Sequence, residues 1–109
     1  VEKNYLGDVI GAMKDLDKAI KSNELDSNDI SNANRFIGNI YFDKDSLELA
    51  IENYTKSINF NPKLSNAYVG RAESFRKMKM LDKACRDYRK AAELGEIILY
   101  DVIKKNCNN

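Results

Sequence analysis

The sequence has no histidine, no tryptophan, one proline and two cysteines in 109 residues. Without histidine, a hydroxyl or thiol nucleophile has no conventional base beside it, and neither a Gly-rich phosphate loop nor a Gly-x-Ser-x-Gly elbow occurs. Carboxylate pairs fall on faces that read as solvated, where nothing lifts a carboxyl pKa towards neutrality. The chain therefore reads as non-catalytic, with no catalytic residue to name. Two cysteines are too few for a disulfide framework, and a zinc site would have to be built from two thiols and carboxylates alone. Cys85 is expected as a small buried hydrophobe and Cys107 as a free thiol in a polar tail; no metal and no cofactor are expected.

Long apolar runs are also missing. The longest, Ile97-Ile98-Leu99-Tyr100, is one helical turn, far below the roughly 18 residues of a membrane span. Charge of one sign is not in excess either: 18 basic residues stand against 17 acidic ones, for a net charge of +1. Nothing in that balance calls for nucleic acid or an anionic surface as partner. Val1 opens the sequence without a Met or a charged-then-apolar leader, so it reads as a piece trimmed from something longer. A cytoplasmic setting is favoured, with a secreted or periplasmic precursor left open.

What the sequence does have is a period. Shifted by 34 residues, Gly38 falls on Ala72, Tyr41 on Phe75, Leu47 on Leu81, Ala50 on Ala84, Tyr54 on Tyr88, Ser57 on Ala91 and Phe60 on Leu94. A shift of 38 lays Val9, Ala12, Met13, Leu16, Ala19 and Ile20 on Leu47, Ala50, Ile51, Tyr54, Ser57 and Ile58. Self-similarity at such a period marks a stack of like units. The units divide a single domain over 1–109 into a partial first repeat (1–30), a second (31–64), a third (65–95) and a capping helix (96–106).

Within each unit the apolar spacing is helical. Residues 1–6 are cut off by Gly7-Asp8, and a helix runs from Val9 to about Ser22. Asn23 to Asp29 reads as a loop rich in turn and cap formers. The next helix buries Ala33, Phe36, Ile37, Ile40 and Tyr41, with Gly38 admitting a neighbouring backbone. Asp43-Lys44-Asp45 turns the chain, Asp45 and Glu48 having the form of a capping box. The helix that follows buries Leu47, Ala50, Ile51, Tyr54 and Ile58 and stops at Asn61-Pro62. The third unit repeats this with Ala67, Tyr68, Ala72, Phe75 and Met78, then Leu81, Ala84, Cys85, Tyr88, Ala91 and Ala92, and closes at Gly95. The terminal helix, about Glu96 to Asn106, is expected to bury Ile98 and Val102 with Ile97 and Ile103. The run Arg86-Asp87-Tyr88-Arg89-Lys90 reads as charge on an outer face. Lys77, Lys79, Lys83, Arg86, Arg89 and Lys90 make the third unit locally basic, but interleaved acids and the lack of a nucleic-acid motif argue against RNA.

With its 34-residue period, two helices per period, small residues at Gly38/Ala72, Ala50/Ala84 and Ser57/Ala91, aromatics at Tyr41/Phe75 and Tyr54/Tyr88, and the boundary Pro62, the chain resembles the tetratricopeptide repeat family. Asn34 stands where the family's early aromatic is expected, and Glu96 where a second boundary proline would be. The resemblance implies an all-α fold, a right-handed α-α superhelix (solenoid) of antiparallel helix pairs with a C-terminal capping helix. It further implies a scaffold that holds a peptide or helix of a partner protein against the first helices of each pair, with no nucleic acid and no membrane span.

The residues expected to line that groove lie three to four apart, off the apolar stripe. They are Asn32, Arg35 and Asn39, then Asn66, Val69, Glu73 and Arg76, with Lys104 from the terminal helix. Arg35 and Asn39 also match the start of the clamp with which some family members hold a C-terminal carboxylate, a group that suits the guanidinium fork. Gly70 stands where that clamp would place an Asn, so the plainer reading is a pair of ordinary groove residues. The alternative role is assembly, as part of a longer solenoid or as a homodimer through the N-terminal edge, where Met13, Leu16 and Ile20 are expected to lie partly uncovered.

Overall fold

A computed structural model describes residues 2–22 and 26–107. Six helices follow one another: α1 (Glu2–Ser22), α2 (Ser27–Asp43), α3 (Leu47–Phe60), α4 (Ser65–Lys77), α5 (Leu81–Glu93) and α6 (Leu99–Asn106). No strand occurs among the described residues. Each helix packs on the next, and α2 also touches α4. That neighbour-only pattern makes a solenoid of helix pairs. The stack measures 46 × 30 × 18 Å with a radius of gyration of 14.6 Å, above the ~13 Å expected of a compact chain this long.

Local chemistry explains most of the boundaries. Asp26 caps α2, its Oδ1 accepting from the Asp29 amide at 2.8 Å, so the helix starts inside the expected loop and takes in Asn28 and Asp29. Asn23, Glu24 and Leu25 lie outside the described residues. The expected break at Gly7-Asp8 does not occur, since α1 runs straight through it; an interior glycine costs a helix about 1 kcal/mol without ending it. The capping box expected of Asp45 and Glu48 does not form either. Asp45 has φ 61° and belongs to the end of α2, where the Ser46 amide bonds the Tyr41 carbonyl at 2.9 Å and the Asp45 amide the Phe42 carbonyl at 2.9 Å. One period later Lys79 has φ 63°, with the Met80 amide on Phe75 and the Lys79 amide on Arg76, each at 2.9 Å. Both are Schellman closures, so the repetition extends to the backbone. Gly95 closes α5 as expected, at φ 121°.

The core follows the small-and-large pattern. Ala50, Ala67, Ala72, Ala84 and Ala91 are fully buried, which lets helix backbones approach and leaves the gaps to Tyr54 and Tyr88. Tyr54 sits between two glycines. A Cβ on Gly38 would come 2.9 Å from its ring and one on Gly70 2.5 Å, so these residues make room for an aromatic ring rather than for a backbone. Ile37, Ile30 and Leu16 form a second cluster with Met13, Ala33, Ile40 and Tyr41 packed against it. Leu16 is thus buried, not open on the N-terminal edge; the Tyr41 hydroxyl donates to Met13 Sδ at 3.5 Å across the same contact. The side chain of Ile20 lies outside the described residues.

Several expected core positions face water. Phe36 is 60% exposed because it sits one residue, about 100°, off the buried Ile37; Leu81, the first residue of α5, is 48% exposed. At the C-terminal end α6 starts at Leu99, and Ile97 and Ile98 are 73% and 76% exposed in the turn before it. Leu99 takes the buried position, with Val102 and Ile103 packed behind it. Ser65 donates to Glu96 Oε1 at 2.9 Å, tying the start of α4 to the residue that stands in for a boundary proline.

Two further expectations are overturned. Cys107 is not free: it forms a disulfide with Cys85, their Cα atoms 5.5 Å apart. A short turn sends α6 back along α5, which brings the tail to the N-terminal half of α5. Asp87 is not solvated but 5% exposed. Arg71 holds it with two hydrogen bonds, Nε to Oδ2 at 2.7 Å and Nη2 to Oδ1 at 2.8 Å, while Nη1 donates to Thr55 Oγ1 at 3.2 Å. Arg71 and Asp87 occupy the positions that Ile37 and Asn53 hold one period earlier, both of them buried.

Candidate functional site

All the expected groove residues but Lys104 fall on the two helices that open consecutive pairs, α2 and α4, which touch each other. On α2, Asn32 is exposed and its amide donates to the Asn28 carbonyl at 3.0 Å. Asn39 accepts from the Tyr54 hydroxyl at 2.5 Å. One period on, Glu73 accepts from the Tyr88 hydroxyl and from Arg76 Nη2 at 2.7 Å, while Arg76 Nε donates to the Tyr88 oxygen at 3.2 Å. The same two positions are therefore joined in both units: a tyrosine from the second helix reaches through the stack and fixes a polar side chain on the first.

Arg35 is the exception. Its Nε is buried and has no hydrogen-bond partner among the described residues, although its charge acts on the Tyr54 phenol. A buried donor left unpaired costs about 1–3 kcal/mol until an acceptor reaches it. Asn66 is exposed and Val69 half-buried, the latter packed on the core. Lys104 is exposed on α6, a helix that packs on α5 and not on α2 or α4. The structure thus joins Asn39 to Tyr54, with Arg35 close by, and Glu73 to Arg76 and Tyr88, but makes no direct link from these to Asn66 or Lys104. Beyond the expected set, Lys77 lies 3.7 Å from Asp45 Oδ1 and 4.8 Å from the centre of the Phe42 ring, closing one end of the α2–α4 surface.

The hydroxyls of Tyr54 and Tyr88 are the part that sequence reasoning misses. Both positions read as core, and both rings are 2% exposed or less. The available signal is that each is Tyr rather than Phe, since a buried phenol needs a partner. Burial pushes the Tyr54 pKa up to about 12, helped by Asp43 and opposed by Arg35. Burial, then the Glu73 hydrogen bond, pushes that of Tyr88 up to about 12. The consequence for stability has a definite sign. Below the ordinary phenol pKa of 10.0 both folded and unfolded chains keep these protons, and the stabilisation is complete. Between pH 10 and about 12 the unfolded chain ionises while the folded one does not, so stability falls. Urea midpoints at pH 9 and pH 11 should show that fall in the natural chain and a smaller one in Tyr54→Phe/Tyr88→Phe.

Chemically, the stripe offers amides, one carboxylate and guanidinium donors to a ligand backbone or side chain, without a nucleophile and base in contact. Among the described residues no three cysteine or acidic side chains gather where a metal ion could sit, and no helix is long and apolar enough to cross a membrane.

A family model described as a TPR repeat matches residues 38–79, and a second, described as a tetratricopeptide repeat, matches 65–94. Among solved structures, the first TPR of Spaghetti (RPAP3) bound to the HSP90 peptide SRMEEVD superposes with a TM-score of 0.63 at 14% identity, over 91% of this chain and 90% of that one. At that identity the likeness is one of fold. No curated protein matches the sequence.

Proposed function

The chain belongs to the tetratricopeptide repeat family, and from that premise we propose that it is a protein-interaction module that holds an extended peptide of a partner along the α2–α4 surface. The observation that carries this reading is Arg35 Nε, buried and unpaired beside an Asn39 already fixed by Tyr54. Turned out of that buried place, the Arg35 guanidinium meets a carbonyl or carboxylate oxygen of the bound peptide and gains the acceptor it lacks within the chain. The structural neighbour binds an acidic peptide, which supports the same class of ligand.

The geometry favours side-chain or backbone capture over a clamp on the chain terminus. Asn39 already spends its oxygen on Tyr54. The place of the clamp's second amide is Gly70, where the Tyr54 ring fills the space a side chain would need. Titration calorimetry with the peptide SRMEEVD, as free acid and as C-terminal amide, tests both points. The two forms should bind equally, and Arg35→Ala should weaken each by roughly tenfold or more, the worth of a charge-assisted hydrogen bond. Unchanged binding by Arg35→Ala would reject the groove, and loss of binding on amidation alone would restore the terminal clamp.

A further inference from the structure

A cavity of about 690 Å³ opens where α6 packs on α5 but not on α4. Its volume is that of an ordinary ligand pocket. Tyr68 stands on the α4 side and Tyr100 with Ile103 on the α6 side, while α5 supplies Arg86, Arg89 and Lys90. The cavity is distinct from the groove, because Tyr68 and Arg71 lie about 160° round α4 from Asn66, Val69 and Glu73.

Its charge is one-sided. Arg71 and Asp87 neutralise each other through their paired hydrogen bonds, which leaves Arg86, Arg89 and Lys90 against Glu93 alone. Arg86 and Lys90 are both exposed, one turn apart, and make no ion pair among the described residues. Like charges at that spacing repel by a few tenths of a kcal/mol, and an anion placed between them reverses the sign. Arg89 is aimed by its bond to the Cys107 carbonyl at 3.0 Å. The lining also carries apolar surface, from Tyr100, which is 56% exposed.

We propose that this cavity is a second binding site, taking an acidic segment of a partner protein. One apolar side chain of the segment seats between Tyr68, Tyr100 and Ile103, and its carboxylates face Arg86, Arg89 and Lys90. Nucleic acid fits the site poorly. A phosphate backbone needs a longer basic track, and Glu93 interrupts this one.

The test uses the whole chain, isotopically labelled for NMR and titrated at 0.15 M salt with three probes. These are a doubly capped peptide of one tryptophan flanked by glutamates, its lysine counterpart and an oligouridylate. The acidic peptide should shift amides between residues 86 and 103, with tenfold or greater loss of affinity in Arg86→Glu/Lys90→Glu and a smaller loss in Tyr100→Ser. These side chains are exposed, so the variants keep the fold, which circular dichroism checks. Arg35→Ala should bind this probe as the natural chain does. Absence of binding at millimolar peptide, shifts confined to α2 and the groove face of α4, an unaffected charge-reversed variant, or tighter binding of the lysine peptide or the oligouridylate would each overturn the proposal.

Discussion

Asp87→Ala should destabilise the protein by about 3 kcal/mol, the low end of what removing one member of a buried ion pair costs. The Asp87 side chain is 6% exposed and that of Arg71 21%, so a stranded guanidinium recovers some hydration but keeps a desolvated charge. The loss is mechanical as well, since Arg71 bonds Thr55 on α3 and Asp87 on α5 and thereby links three successive helices. A double variant separates the charge from the packing. Arg71→Ile/Asp87→Asn installs the residues that stand buried at the same positions one period earlier, Ile37 and Asn53. It should regain most of the loss in urea denaturation, because replacing both members of a buried pair removes the stranded charge. A cost under 1 kcal/mol for Asp87→Ala, or a double variant no better than the single, would show that the pair does not bear on stability in this way.

That pair also marks where sequence reasoning stops. Features set by local or repeating neighbours are legible in the residues. The alanines at 50, 72, 84 and 91 are fully buried because each faces the same crossing in successive units, and the period displays them. Tyr54 and Tyr88 are legible as core for the same reason. Asp87 is not, because a run of alternating charges reads as solvated until one knows that Arg71, on another helix, stands on the buried stripe at the place of Ile37 and meets it there. The start of α6 is hidden for a different reason: Ile97-Ile98-Leu99-Tyr100 is apolar at every position and so carries no helical phase. Left-handed turns at Asp45 and Lys79 leave no trace in residue type, since the hydrogen bonds of the helix end select them. For the groove, the stripe of polar positions is legible. The hydroxyls that anchor it, and the Arg35 nitrogen left unpaired beside them, depend on the depth to which Tyr54 and Tyr88 reach.

Reducing the disulfide between Cys85 and Cys107 should cost about 3 kcal/mol, because the bond closes a loop across a separation of 22 residues and so removes open conformations from the unfolded chain. For a chain of this length that corresponds to a fall in Tm of roughly 10–15 °C. Cys107→Ser should show the same fall without reductant and no further change with it, which separates loss of the bond from other effects of a dithiol. The residual hold on α6 is apolar, through Leu99, Val102 and Ile103, with Arg89 still donating to the carbonyl of residue 107. The helix should therefore loosen rather than detach, and amide exchange should quicken in α6 well before α4 and α5 respond. A thiol at 85 that served only as a small hydrophobe, as its place in the repeat suggests, predicts the opposite: Cys107→Ser would then leave Tm and α6 exchange as they are. Because α6 supplies Tyr100 and Ile103 to the basic cavity, the same reduction should weaken the acidic peptide there while leaving the α2–α4 surface, which α6 does not touch, unchanged.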